Sequence, residues 1–113
     1  MIVFLRFAFS FVLVAMLAVT TWASLQSPIW AIPESVTKHP WFIATLFDTY
    51  FAFLTFYGWV AYKERGIVAR VVWLLAILIL GNIAMAVYML IQLFRLPTTA
   101  SMEDLLLRRK PSL

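Results

Sequence analysis

Asp48 is the side chain best placed to do chemistry in this 113-residue chain, because it is a carboxylate within a long apolar segment. It follows Trp41 by seven residues, which is about 10 Å along a helix. A charge near the centre of a bilayer costs about 2.5 to 3.5 kcal/mol, so such residues face a partner helix or a wet cavity. Two interpretations follow, a proton or ion relay and a polar contact between helices. We favour the contact, because a relay usually recruits several ionisable groups.

Helical spacing gives Asp48 a predicted partner. Asp48 and Asn82 each lie seventeen residues from Arg65, so two antiparallel helices joined near Arg65 would hold them at equal depth as a polar pair. Small and hydroxyl residues on the same two faces would allow close helix packing. These predicted supporting residues are Thr45, Ala52, Thr55, Gly81 and Tyr88.

Two further charged or titratable residues lie near the predicted membrane interfaces. Arg6 would either extend to lipid headgroups or pair with Glu64. His39 could ligate a haem or chlorophyll metal, but a lone interfacial histidine is more typical of an exposed side chain or a helix cap.

The sequence does not indicate a metal site, an enzyme active site or a cofactor site. One histidine and no cysteine exclude a site built from several histidines or from thiolates. The chain has no recognisable nucleophile and base pair and no glycine-rich phosphate loop, so we expect no enzymatic activity. No cofactor is predicted, and a bound lipid or pigment is compatible with the sequence without being supported by it.

The elements that position these residues are membrane helices. The chain is 65% hydrophobic and 12% charged, whereas soluble domains are about 45 to 50% apolar and about 25% charged. We therefore predict one all-α membrane domain, residues 1–113, with three transmembrane helices. The predicted spans are residues 2–25, 41–62 and 67–95, with a proline-rich loop at 26–40, a charged turn at 63–66 and a tail at 97–113.

Both ends of the chain allow alternatives. The first span could instead be a cleaved signal peptide, although Phe4 and Leu5 crowd the region that precedes such an apolar run. In the tail, Ser101 and Asp104 have the spacing of a capping box. The tail would then form a short helix from Met102 to Lys110, with its leucines on the membrane surface, or a disordered basic segment.

Orientation depends on the number of spans. Three spans place the termini on opposite sides, with four basic residues on one side and five on the other. This balance does not decide the orientation. We favour a cytoplasmic N-terminus, because the short second loop concentrates positive charge beside two spans. Trp59 and Trp73 are predicted to anchor that interface.

The sequence resembles a family of small uncharacterised membrane proteins of bacteria and plants. The likeness rests on WFIATLFDTYFAFLTFYGWVAYKE (residues 41–64), GNIAMAVYMLIQLFRL (residues 81–96) and the tail motif DLLLRR. It covers about the last two thirds of the chain. The resemblance implies a multi-span membrane fold and no particular reaction.

We expect a non-catalytic subunit that assists or assembles a larger membrane complex. Three helices and 19 aromatic residues, counting 10 Phe, 5 Trp and 4 Tyr, leave much aromatic surface for lipid, for other membrane subunits or for a second copy. The alternative is a small oligomeric transporter that uses Asp48 to couple protons or ions. Nucleic acid is not an expected partner.

Overall fold

The structure, a computed structural model, describes residues 1–107, and residues 108–113 lie outside that description. The described part is helical and contains no strand, which confirms the all-α prediction. Its helices are α1 (Ile2–Gln26), α2 (Glu34–Thr37), α3 (Pro40–Lys63), α4 (Ile67–Leu80), α5 (Asn82–Phe94) and α6 (Met102–Leu106), with a short 3-10 turn at Ile29–Ala31.

Helices α1 and α3 are the two long apolar helices of the chain. They contain 25 and 24 residues, which corresponds to about 38 and 36 Å. Both are long and apolar enough to cross a membrane. Helix α3 starts at Pro40, whose missing N–H costs nothing at a first helical position.

The predicted third span is not one helix. Gly81 ends α4 and precedes α5 with φ 59° and ψ −124°, a conformation that a residue with a Cβ rarely adopts. The resulting helices of 14 and 13 residues are each about 20 Å long, which is less than a bilayer core of about 30 Å. The prediction of a continuous helix over 67–95 is therefore wrong, because the backbone reverses at Gly81.

Contacts across Gly81 show that α4 and α5 form a helical hairpin. Trp73 precedes Gly81 by eight residues and Tyr88 follows it by seven, yet their ring centroids are 4.8 Å apart. The Tyr88 hydroxyl also reaches Glu64, beyond the start of α4. Helix α5 therefore returns toward the end of the molecule at which α4 begins.

Neighbouring helices pack in the order α3, α4, α5, α1, and direct contact between α1 and α3 is slight. The start of α1, the α3–α4 turn, the end of α5 and α6 consequently meet at one end of the molecule, which we name the charged end. Ile2 is buried there against Met89, Leu93 and Leu105. Within the described residues, the start of the chain and the tail therefore lie at the same end of the molecule, whereas three spans would place them at opposite ends.

The tail contains the predicted capping box. The Asp104 amide donates to the Ser101 hydroxyl at 3.3 Å, and the Ser101 amide donates to the Asp104 carboxylate at 2.9 Å. Leu105 is buried in the core, whereas Leu106 and Leu107 are exposed. The last residues of the predicted tail helix, 108–110, lie outside the described part.

Candidate functional site

The centre of the charged end is a hydrogen bond between Tyr88 and Glu64. Tyr88 is fully buried, and its hydroxyl donates to the Glu64 carboxylate at 3.1 Å. Trp59, Trp73 and Phe56 surround the phenol ring edge-to-face at 4.8 to 6.2 Å between centroids, a favourable geometry for aromatic pairs. Trp59 and Trp73 are partly buried against this core, and their predicted role as membrane anchors stays a prediction.

The α3–α4 turn is held by two further hydrogen bonds. The Arg70 guanidinium donates through Nε to the Glu64 carbonyl at 2.9 Å. The Tyr57 hydroxyl donates to the Arg70 carbonyl at 2.9 Å. Glu64 is therefore held through its backbone carbonyl by Arg70 and through its carboxylate Oε1 by Tyr88.

Beside Glu64 lies an open hollow of about 430 Å³. Helix α6 is held close to it, because Lys63 Nζ donates to the Leu107 carbonyl at 3.0 Å and Trp59 Nε1 donates to the Leu106 carbonyl at 2.9 Å. The charged and polar side chains that line the hollow are Lys63, Glu64, Arg65, Gln92, Arg95 and Asp104.

Arg6 neither extends away from the protein nor pairs with Glu64. Its guanidinium donates to the carbonyls of Leu93 at 3.1 Å and Leu96 at 2.8 Å, and it lies 4.7 Å from the Phe94 ring centroid. A cation at the last carbonyls of a helix satisfies unpaired acceptors and complements the helix dipole. Arg6 therefore adds a polar connection between α1 and the C-terminus of α5 to the apolar contact of Ile2 with Leu93.

The structure does not join Asp48 to Asn82. Both side chains are exposed, and the described residues show no hydrogen bond between them. The predicted supporting residues divide into two groups: Gly81 and Tyr88 are buried in helix contacts, whereas Thr45, Ala52 and Thr55 are exposed.

The reason is that α3 packs through a different face. Phe53 and Val60 are its buried residues, and Phe53 contacts Gly81. The two threonines need no partner helix, because Thr45 donates to the Trp41 carbonyl and Thr55 to the Phe51 carbonyl within α3. The aromatic face is therefore turned toward the hairpin, and the polar face is turned away from it.

His39 is a helix cap. Its Nδ1 accepts a hydrogen bond from the Trp41 amide at 3.2 Å, at the start of α3. Within residues 1–107, no three His, Cys, Asp or Glu side chains are grouped as they would be around a metal ion.

Sequence reasoning missed the pairing of Tyr88 with Glu64 and the capping role of Arg6. Both contacts depend on the reversal at Gly81. The sequence does contain a signal for that reversal, since a glycine directly after an apolar helical run is a frequent C-terminal signal. Interpreting Gly81 as a small residue within a helix contact overlooks that signal.

The site and fold define the chain as an all-helical protein with two candidate spanning helices and a helical hairpin between them. A family model described as "Protein of unknown function (DUF1475)" matches residues 1–111, and the chain belongs to that family. The match includes α1, which extends the resemblance beyond the last two thirds of the chain. No curated protein and no solved structure matches the chain.

Proposed function

We propose that the protein is a non-catalytic integral membrane protein that assembles with other membrane subunits or with further copies of itself. The first support is that its long helices are apolar but hardly buried. In the most apolar 18-residue stretch of each long helix, only 6% of α1 and 11% of α3 is buried inside the protein. The core helix of a soluble protein would bury this surface, so a bilayer is the solvent that fits it.

In this arrangement α1 and α3 cross the bilayer, while α4 and α5 enter it from the charged end and return. Non-helical backbone at membrane depth is tolerated where protein covers it. Gly81, the only residue between α4 and α5, is buried and lies against the Phe53 ring. Gly81 therefore satisfies this requirement, whereas the neighbouring Leu80 and Asn82 are exposed.

Two spans and a hairpin also favour one orientation. Six basic residues lie in the described part, and five of them (Arg6, Lys63, Arg65, Arg70 and Arg95) belong to the charged end. Lys38 belongs to the opposite loop and forms an ion pair with Glu34. The remaining three basic residues follow Leu107 in the sequence. Because basic residues accumulate on the cytoplasmic side, we propose that the charged end and the N-terminus are cytoplasmic.

Cleavage of α1 as a signal peptide fits this arrangement poorly. Helix α1 supplies Ile2, which is fully buried, and Arg6, which caps α5. Its removal would expose Leu93 and remove the Arg6 donor from the carbonyls of Leu93 and Leu96. We therefore propose that α1 remains part of the protein as a membrane span.

The observation that carries the assembly proposal is the exposed polar face of α3. Asp48 lies on a candidate spanning helix with its side chain turned away from the hairpin. A carboxylate that faces hydrocarbon costs about 2.5 to 3.5 kcal/mol on insertion scales. A polar group on a second protein chain would remove this cost by hydrogen bonding to Asp48, while Ala52 allows close approach of the helices.

The proposal predicts that Asp48→Leu removes assembly, whereas Asp48→Asn retains it because the amide can still form a hydrogen bond. Membranes would be extracted in mild detergent, and the complexes would be sized and identified by mass spectrometry. Phe47→Leu, a change at the adjacent exposed position of α3, is the matched control and is expected to leave assembly unchanged.

Unchanged thermal unfolding of the purified Asp48→Leu variant would show that the loss concerns assembly and not folding. Migration of the wild-type protein as a small monomer under all mild conditions would contradict the proposal. Full retention of the complexes by Asp48→Leu would contradict it as well.

A second candidate function is a small oligomeric transporter, since the same exposed carboxylate could couple flux to protons or ions. The Asn variant separates the two functions, because it keeps hydrogen bonding but cannot ionise. Loss of a proton-linked flux in Asp48→Asn, at an unchanged amount of inserted protein, would favour transport. An unaltered flux would reject it.

A further inference from the structure

The hollow at the charged end combines three cationic side chains with two carboxylates that are already engaged. The Glu64 carboxylate accepts from the Tyr88 hydroxyl. The Asp104 carboxylate accepts from the Ser101 amide in the capping box. Lys63, Arg65 and Arg95 are the cations that line the same space, so the cations outnumber the carboxylates by three to two.

Arg95 is the side chain with most capacity to bind a ligand. It is exposed, it lies at the C-terminal cap of α5, and it forms no hydrogen bond or ion pair within the described residues. Arg6 already donates to the carbonyl of Leu93 in the last turn of α5 and to that of Leu96 just after it. The Arg95 guanidinium is consequently not needed as a cap, and its five N–H donors remain for an external acceptor.

We propose that this hollow binds the phosphate group of an anionic lipid headgroup. Guanidinium groups pair with phosphate through two parallel hydrogen bonds, and the lysine adds a compact positive charge. Basic pockets between helices at the cytoplasmic membrane surface are typical sites for such headgroups. Gln92 supplies a neutral donor in the same hollow.

A lipid is favoured over a free anion by position, and this choice rests on the proposed membrane arrangement. The hollow lies where α3 ends and α4 begins, at the end of a candidate spanning helix. In a bilayer this depth corresponds to the headgroup region.

The test uses the purified full chain in mild detergent, with bound lipid counted by native mass spectrometry. Phosphatidylglycerol and phosphatidylcholine with identical acyl chains are added at matched concentrations. The wild-type protein is expected to retain phosphatidylglycerol preferentially. Arg95→Gln is expected to bind it about fivefold more weakly, since each basic residue near an anionic surface contributes about 1 kcal/mol.

Lys38→Gln is the matched control, because it removes the same charge from the opposite loop, and it is expected to bind as the wild type does. Equal retention of both lipids by the wild type, or equal losses in Arg95→Gln and Lys38→Gln, would overturn the proposal. Inorganic phosphate alone is the second arm. This arm compares how strongly inorganic phosphate and phosphatidylglycerol protect the protein from thermal unfolding. Equal protection would assign the hollow to free phosphate and overturn the lipid assignment.

This binding assay is independent of assembly. A chain that binds phosphatidylglycerol through Arg95 but stays monomeric would contradict the assembly proposal alone. A chain that assembles but shows no preference for the anionic lipid would contradict this inference alone.

Discussion

Gly81→Ala is expected to lower the free energy of unfolding by about 3 kcal/mol, because it combines backbone strain with overpacking. The positive φ of 59° is strained for alanine. A Cβ at this position would lie 2.7 Å from Phe53 Cζ and 3.1 Å from Phe53 Cε2. Relief requires that the Phe53 ring moves out of its contact with the hairpin. Unfolding in mixed micelles, followed by tryptophan fluorescence, measures the change.

Gly58→Ala is the control for this prediction. Gly58 lies within α3, and a Cβ at this position would meet no atom within 4 Å. Alanine is therefore expected to leave the stability unchanged or to raise it slightly, by about 0.5 to 1 kcal/mol. Equal effects of the two glycine substitutions would contradict the reversal at Gly81. They would favour a continuous helix through that position.

Arg6→Met is expected to lower the free energy of unfolding by about 2 kcal/mol, in the range typical of hydrogen bonds from charged groups. Methionine keeps an unbranched apolar stem but cannot donate to the carbonyls of Leu93 and Leu96. The junction of α5 with the tail should then open more often. Unfolding measurements and proteolysis near Pro97 report the two effects.

Lys38→Met provides the comparison, since Lys38 forms an exposed ion pair with Glu34. Such pairs contribute roughly 0 to 1 kcal/mol. If Arg6→Met were as stable as the wild type and equally resistant to proteolysis, Arg6 would not cap α5 in solution. Arg6 would then be better described as a cation that extends to lipid headgroups at the membrane interface.

Local features of the fold could be predicted from local sequence. Pro40 after His39 marks the start of α3, and the spacing of Ser101 and Asp104 marks the start of α6. Gly81 is a frequent type of helix C-terminal signal, but this signal does not fix the backbone conformation, because glycine adopts positive and negative φ with similar ease. Hydrophobicity continues on both sides of it, so composition alone does not distinguish one long helix from a hairpin.

The same ambiguity explains why the structure places the candidate site residues differently from the prediction. With a straight third helix, Tyr88 lies far from Glu64 and Asn82 lies level with Asp48. With a hairpin, α5 brings Tyr88 to Glu64. Helix α3 then packs against the hairpin through Phe53, which lies against Gly81. The polarity of Asp48 is evident from sequence, but the face that α3 buries depends on this one reversal.

Sidedness of the tail tests the central claim most directly, and the absence of cysteine makes single-cysteine labelling clean. Ser35→Cys, Gly66→Cys and Thr99→Cys, each in an exposed position, would be treated separately with an impermeant reagent on intact and inverted membranes. Two spans and a hairpin predict that Thr99→Cys reacts from the same side as Gly66→Cys and opposite to Ser35→Cys. Reaction of Thr99→Cys from the side of Ser35→Cys would contradict the hairpin and restore three spans.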